Sequence, residues 1–500
     1  MKKPNILWIG FDQIRYDTLG ANGNEVCRTP NLDGLASESV NFSRAYTPCS
    51  LCSPARASMF TGLYAFKHGM GTNCDMYHSL SRELARPEQL LHRRFQEAGY
   101  QCGFAGKWHV GTEKGPGDYG FQGMNLPGYG NIQQDEGFKS YLAQNNLSYS
   151  PEPMYYLNPD KQTLIGGKWG GPVESTPAHY LTEYTKDLID GCIESENPFF
   201  ITCQYWGPHG PHMPSDEFYK IHDREELTPW KSLEEDMSSK PRRIQRELDC
   251  FYRNHPTNWE EAKEIVGLYY DVTAMLDYEV GRLLDYLEEK GLRENTVVVF
   301  STDHGDMTGA HGGMMDKGLL YEEAHHIPFF ISWPSRIEPN KKDELVMNMD
   351  IMPTLLELSG IDVPEGLDGR SLTPLLETAR ARGTEMKQWE REALYMEFHG
   401  LRFLYSQRAI VTEDNWKYIF TPGDYDEVYN LNNDPDEIQN LINTPEHDAK
   451  IGNLRKLIRQ QAFHFNDPLK DCISKFFGEW QTGSGQIDAS KFYEEQKEQK

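Results

Sequence analysis

Four short runs of metal-capable or cationic side chains each follow an apolar segment of the kind that forms a buried strand. Asp12-Gln13 follows residues 5–11, and Gly106-Lys107-Trp108-His109 follows 101–105. Trp206-Gly207-Pro208-His209 follows 198–205, and Asp303-His304-Gly305-Asp306 follows 296–302. Asp12 and Asp303 offer hard carboxylate oxygens, Gln13 an amide oxygen and His304 an imidazole. Such a set suits Ca²⁺, Mn²⁺ or Mg²⁺, and it lacks the Cys/His spacing of a structural zinc site. Any one run, taken alone, has the plainer reading of loop residues satisfied by water. Four together point at one site, because ligands of an open α/β sheet bind at the carboxyl ends of its strands.

A fifth run carries a nucleophile. In Cys52-Ser53-Pro54-Ala55-Arg56-Ala57-Ser58-Met59-Phe60-Thr61-Gly62, Pro54 is a natural first helical residue and Gly62 a natural stop. Cys52 therefore stands at a helix N-terminus, where backbone N–H groups and the helix dipole favour an anion and acidify a thiol. The plainer alternative is a structural cysteine, with Arg56 as a surface charge.

Elements able to position these groups are legible around them. Short apolar runs alternate with helical patterns, the signature of a mostly parallel sheet sandwiched by helices, an α/β fold. Strands are predicted at 5–11, 101–105, 198–205, 296–302 and 327–333. A helix is predicted over 87–98, with Pro87 first and Gly99 as its stop, and another over 264–290 before Gly291. Residues 112–180 and 213–262 have little periodicity and read as long loops that contact substrate. The catalytic domain is expected over 1–376 and a charged linker over 377–392. A smaller C-terminal α+β domain with an antiparallel sheet is expected over 393–500. Within it, 408–420 reads as a hairpin turning at Glu413-Asp414-Asn415.

Bulk properties narrow the partners. The net charge of −26 over 500 residues disfavours nucleic acid and anionic membranes, while leaving room for a cationic pocket that takes a small anion. Asp12 interrupts the first apolar run too early for a signal peptide, and no stretch has the length of a transmembrane helix. Nine scattered cysteines argue against a disulfide framework and for a reducing compartment, so a cytoplasmic location is expected.

The Cys-x-Pro-x-Arg run followed by Met59-Phe60-Thr61-Gly62 resembles the signature of type I sulfatases. In that formylglycine-dependent family of the alkaline phosphatase-like superfamily, the cysteine is oxidised to formylglycine. Further motifs stand in the family's order: Asp12, Gly106-Lys107-Trp108-His109, Pro208-His209-Gly210-Pro211, Asp303-His304-Gly305 and Asp316-Lys317-Gly318. They continue with Val428-Tyr429-Asn430-Leu431, Asp434-Pro435-Asp436-Glu437 and Asn440-Leu441, so the resemblance spans residues 5–442. Uncharacterised bacterial cytoplasmic sulfatases are the nearest likeness. Asp12-Gln13 and Asp303-His304 depart from the common Asp-Asp and Asp-Asn pairs and are similar to phosphonate monoester hydrolase-like and choline-sulfatase-like members.

The resemblance implies a sulfuric ester hydrolase for a small anionic sulfate ester, a sugar sulfate first, matured by a formylglycine-generating enzyme. It implies one divalent metal, Ca²⁺ before Mn²⁺ or Mg²⁺, held by Asp12, Gln13, modified Cys52, Asp303 and His304. Arg56 would hold the nucleophile. Lys107, Lys317 and His209 would surround the sulfate, with His209 or Lys317 protonating the leaving alcohol. His109 would take the proton that expels sulfate. Asn73, His399 and Arg402 are further candidates for substrate contact. Two other readings are a phosphonate monoester or phosphodiester hydrolase and a non-catalytic sulfated-glycan binder. The presence of Cys52, Asp12 and Asp303 counts against the last.

Overall fold

Asn5–Asp12 is buried at all eight positions and faces apolar material on both sides. Ile6 and Trp8 point into one core cluster, and Leu7, Ile9 and Phe11 into the other, the alternation that a strand's period of two imposes. Val297 and Val299 face the first cluster, and Val298 and Phe300 the second, in the neighbouring strand Thr296–Thr302. This computed structural model describes residues 3–155, 164–251, 256, 258–376, 389–402 and 404–478.

The main sheet has eight strands in the order Asn340–Lys342, Val40–Phe42, Phe330–Ser332, Thr296–Thr302, Asn5–Asp12, Phe199–Pro208, Gln101–Gly106 and Gln122–Gly123. Phe330–Ser332 runs antiparallel to both neighbours, and the other pairings are parallel. The strand expected over 327–333 is thus shorter and reversed. The 31-residue helix Trp259–Glu289 and the helix Pro177–Glu194 pack on the sheet around Phe199–Pro208. The first begins earlier than its apolar stripe suggested, because it is capped at Asn258, whose side chain accepts from Glu261 N.

Three further expectations change. The stretch 213–262, expected as loop, holds the helix Arg242–Phe251. The stretch 87–98 is a 3₁₀ turn, Pro87–Gln89, followed by a short helix, His92–Glu97. Leu91 breaks the run by donating its backbone N–H to Phe60 O, outside the helix. The stretch 112–180 is not all loop: it holds the helix Glu136–Gln144, the strand pair Glu152–Tyr155 and Leu164–Lys168, and the start of Pro177–Glu194.

A second, four-stranded antiparallel sheet joins Ala393–Phe398, Gln407–Thr412, Trp416–Phe420 and Glu427–Asn430 in sequence order. Its central hairpin turns at Asn415 with φ 61°, as the spacing predicts. The chain divides into two compact units, Met1–Asn443 and Thr444–Lys500, so this sheet lies in the first. The second holds the helices Asp448–His464 and Lys470–Gly478. Most of the expected linker, 377–388, lies outside the described residues. No described helix is long and apolar enough to cross a membrane, and all nine cysteines are unpaired.

Candidate active site

The carboxyl ends of Asn5–Asp12, Thr296–Thr302, Phe199–Pro208 and Gln101–Gly106 open side by side. Asp12 closes the first strand, and Gln13 follows at φ 71°, a left-handed conformation that a residue with a Cβ seldom adopts. The bend turns its amide into the site, where Oε1 accepts from Lys317 Nζ at 2.8 Å and Nε2 donates to Asp306. The turn after Thr302 is clamped from two directions. Asn348 Nδ2 donates to the carbonyls of Thr302 and Asp303 at 3.0 and 3.2 Å. Asp303 Oδ1 accepts from the backbone N–H groups of His304 and Gln13 at 3.0 and 3.2 Å.

The helix that carries Cys52 runs Cys52–Thr61 with every residue buried, and Gly62 stops it at φ 68°, donating to Ser58 O. Leu51, just before it, has no side chain that caps. Asn73 does that work from a distance, its Oδ1 accepting from Ser53 N at 3.0 Å. Asn73→Ala is expected to cost about 1 kcal/mol in urea unfolding, the usual worth of such a cap, and Asn73→Asp much less. Equal losses in the two variants would remove the capping role.

Cys52 Sγ lies 3.2 Å from His304 Nε2 and 3.9 Å from Asp12 Oδ1, with 1% of the residue exposed. Burial pushes its thiol up, but Lys107 and Lys317 overcome that and hold it well below the ordinary cysteine range. Arg56, one turn along the helix, donates from Nε to Asp303 Oδ2 at 2.9 Å and from Nη1 to Lys107 O and Gln204 Oε1 at 3.0 and 3.2 Å. Gly10 is what lets Gln204 reach Arg56, since a Cβ there would collide with the Gln204 amide. Lys107 Nζ donates to Asp12 Oδ2 at 2.5 Å.

Lys317 Nζ lies 2.6 Å from His209 Nε2 and 2.9 Å from Asp316. Burial and then the Lys317 charge pull His209 down to about 4, so the lysine is the charged member near neutral pH. His109, at φ 55°, pairs Nε2 with Asp75 Oδ1 at 3.1 Å. Burial pulls it down, yet Asp75 and Cys52 hold it up at about 10. His109 Nδ1 and Arg56 Nη2 are buried without a hydrogen-bond partner among the described residues, two nitrogens left over at the centre.

The donors fit a divalent cation. One atom each from Asp12, Cys52, Asp303 and His304 lies within 4.8 Å of the others, all buried. His304 Nδ1 stands 2.8 Å from Gly305 O and so carries a hydrogen, while Nε2 faces Asp12 Oδ1 and Asp303 Oδ2 at 3.9 and 3.8 Å. Burial pulls the imidazole down, but Asp303 and Cys52 hold it at about 9, so Nε2 keeps a proton that a cation would displace. Acceptors gathered around a common centre in this way call for a proton or a cation between them. Gln13 Oε1 is beside this set but is engaged with Lys317.

The fold therefore gathers Asp12, Gln13, Cys52, Arg56, Lys107, His109, His209, Asp303, His304 and Lys317 into one neighbourhood. Arg402 reaches it at one remove, 3.7 Å from Asp316 Oδ2. His399 Nε2 is held 2.6 Å from Glu397, and Asn73 is occupied by its helix. Sequence reasoning missed Tyr129, Asp75 and Gln204. The Tyr129 ring lies 4.2 Å beneath Lys107 Nζ, and its hydroxyl is 3.5 Å from His209 Nδ1. It belongs to the glycine-rich stretch without periodicity, where no pattern marks one tyrosine among several.

A family model described as Sulfatase matches residues 4–361, and one described as N-sulphoglucosamine sulphohydrolase, C-terminal, matches 309–463. The chain is similar to an arylsulfatase of Clostridium perfringens, 30% identical over 91% of this chain and 94% of that one. It is also similar to an N-acetylglucosamine-6-O-sulfatase of Bacteroides thetaiotaomicron, 25% identical over 93% and 88%. A solved phosphonate monoester hydrolase of Agrobacterium radiobacter shares the fold, with a TM-score of 0.73 at 23% identity over 92% of this chain and 96% of that one.

Proposed function

The chain belongs to the sulfatase family and is a sulfuric ester hydrolase, and we propose that it releases sulfate from a small sulfated sugar. In this reading Cys52 is converted to formylglycine by a maturing enzyme. Asp12, Asp303 and His304, with Gln13 beside them, hold one divalent cation. The observation that carries it is the buried cluster in which Cys52, Asp12, Asp303 and His304 converge beside Arg56, Lys107 and Lys317. Ca²⁺, Mg²⁺ and Mn²⁺ all accept carboxylate oxygen, and the imidazole of His304 turns the set toward Mn²⁺.

Formylglycine, once hydrated, supplies a hydroxyl nucleophile and a second hydroxyl whose deprotonation expels sulfate without attack by outside water. The cation supplies Lewis acidity and positive charge. Arg56, fixed by Asp303 and Gln204, keeps Nη2 free of hydrogen bonds among the described residues, at 3.9 Å from Asp12 Oδ1, where it can hold the nucleophile. Lys107 and Lys317 set fixed charge where the sulfate oxygens gain it in the transition state. Because His209 is neutral and hydrogen-bonded to Lys317, the proton for the departing alcohol comes from the lysine, directly or through the imidazole. His109, with Asp75 behind it to stabilise the imidazolium, takes the proton as sulfate leaves. Asp75 is the largest of the groups that hold His109 protonated; the next, the Cys52 sulfur, is lost on modification, and His109 has to shed its own proton before it can take another.

Gln13 and His304 support a second reading, preference for phosphonate monoesters or phosphodiesters on the same machinery. Parallel kcat/KM measurements on matched sulfate and phosphodiester substrates separate the two. We expect the sulfate ester to win, and a phosphodiester preferred by orders of magnitude would replace the first reading with the second.

A further inference from the structure

Beside the catalytic centre lies a cavity of about 380 Å³ that shares His209 and Tyr129 with it. Beyond those two residues its walls are mostly aromatic and aliphatic, with Trp169, Tyr205, Trp206, Leu181, Val272 and Leu276 among them. The size suits one small ligand group.

The polar atoms of these aromatic walls are engaged elsewhere. Trp206 Nε1 donates to Tyr129 O at 2.8 Å, and Trp169 Nε1 to Ser175 Oγ at 3.0 Å. Tyr205 OH is paired with Thr182 Oγ1 at 2.7 Å. Thr176, which also lines the cavity, uses its hydroxyl to cap its own helix and to donate to Val173 O. Asn131 and Gln133 contribute amides, and both are exposed. A sugar ring pushed into this space would bury hydroxyls against walls with few partners to offer, which costs more than the contacts return. An apolar group would lose nothing and would remove apolar wall from water.

Resting on the sulfated-sugar reading above, we propose that the cavity is a binding site for an apolar aglycone: the substrate is a sulfated glycoside whose sugar stays at the centre while an alkyl or aryl group enters beside His209. The sulfated alcohol and the apolar group are then read by different parts of the fold. Charge and hydrogen bonds read the first, and Trp206, Leu181 and Leu276 read the second.

The test compares free glucosamine 6-sulfate with its octyl glycoside. The octyl compound is expected to show kcat/KM higher by about tenfold or more, carried in KM, as burial of several methylenes allows. Ala178→Phe, which fills the cavity from the helix Pro177–Glu194, is expected to erase that gain and leave the free sugar sulfate unchanged. Should that variant fail to fold, unsulfated octyl glucoside gives a second measurement in the unaltered enzyme, where it is expected to inhibit competitively and glucose is not. Equal kcat/KM for the two sulfates, with no inhibition by octyl glucoside, would overturn the aglycone site alone. Release of sulfate from neither compound, with turnover of a phosphodiester, would instead overturn the sulfated-sugar reading beneath it.

Discussion

Cys52→Ala is expected to lower kcat/KM for a sulfate ester by about 10⁴-fold or more, the scale on which loss of a covalent nucleophile is felt. Stability should change little, because alanine keeps the helix and removes only a sulfur that contacts His304 at 3.2 Å. Mass spectrometry of the peptide spanning Cys52 belongs with the kinetics. In active protein the peptide should be lighter by the difference between a CH₂–SH group and a CHO group. Full activity with an unmodified thiol, or in the alanine variant, would sink the formylglycine mechanism while leaving the family assignment standing.

Arg56→Leu is expected to cost about 3–5 kcal/mol of stability, in addition to activity, the price of leaving a buried carboxylate without its partner. Arg56 and Asp303 are both fully enclosed, and the guanidinium also ties down Lys107 O and Gln204. The pH dependence has a definite sign. Burial already holds Asp303 above the usual carboxylate value, with Arg56 opposing it. Without Arg56 the folded-state pKa rises further, so the folded variant takes up a proton more readily than the unfolded chain does. The stability gap to the wild type should therefore narrow as pH falls and widen as pH rises through that pKa. Urea midpoints in chelator at pH 5 and pH 8 measure this. A gap independent of pH would mean that Asp303 is not the group left unpaired.

The central strands were legible because they are buried on both faces and their apolar runs are unbroken, as in Asn5–Asp12 and Thr296–Thr302. Two of their carboxyl ends were legible because the runs stop abruptly at a carboxylate, Asp12 and Asp303. The helix at Cys52 was marked by Pro54 and Gly62. What the residues could not announce depends on distance along the chain. Asp75 supports His109 from a loop 34 residues away, and Asn73 caps a helix that begins before it. Gln204 sits mid-strand, where an amide looks like an interruption until Gly10 opposite is seen to make room for it. The helix Pro177–Glu194 hid because the Gly- and Pro-rich stretch before it blurs where periodicity begins.

The burial of Cys52 has a consequence in time. Its sulfur contacts Asp12 and His304, and 1% of the residue is exposed, so a modifying enzyme of the kind proposed would find no route to it in the finished fold. On the formylglycine reading, oxidation and folding would then be rivals for the same chain, and the first would have to win before the Cys52 helix docks. Expression that speeds folding relative to maturation should yield well-folded, stable and inactive protein, a fraction that no later incubation with the maturing enzyme would recover.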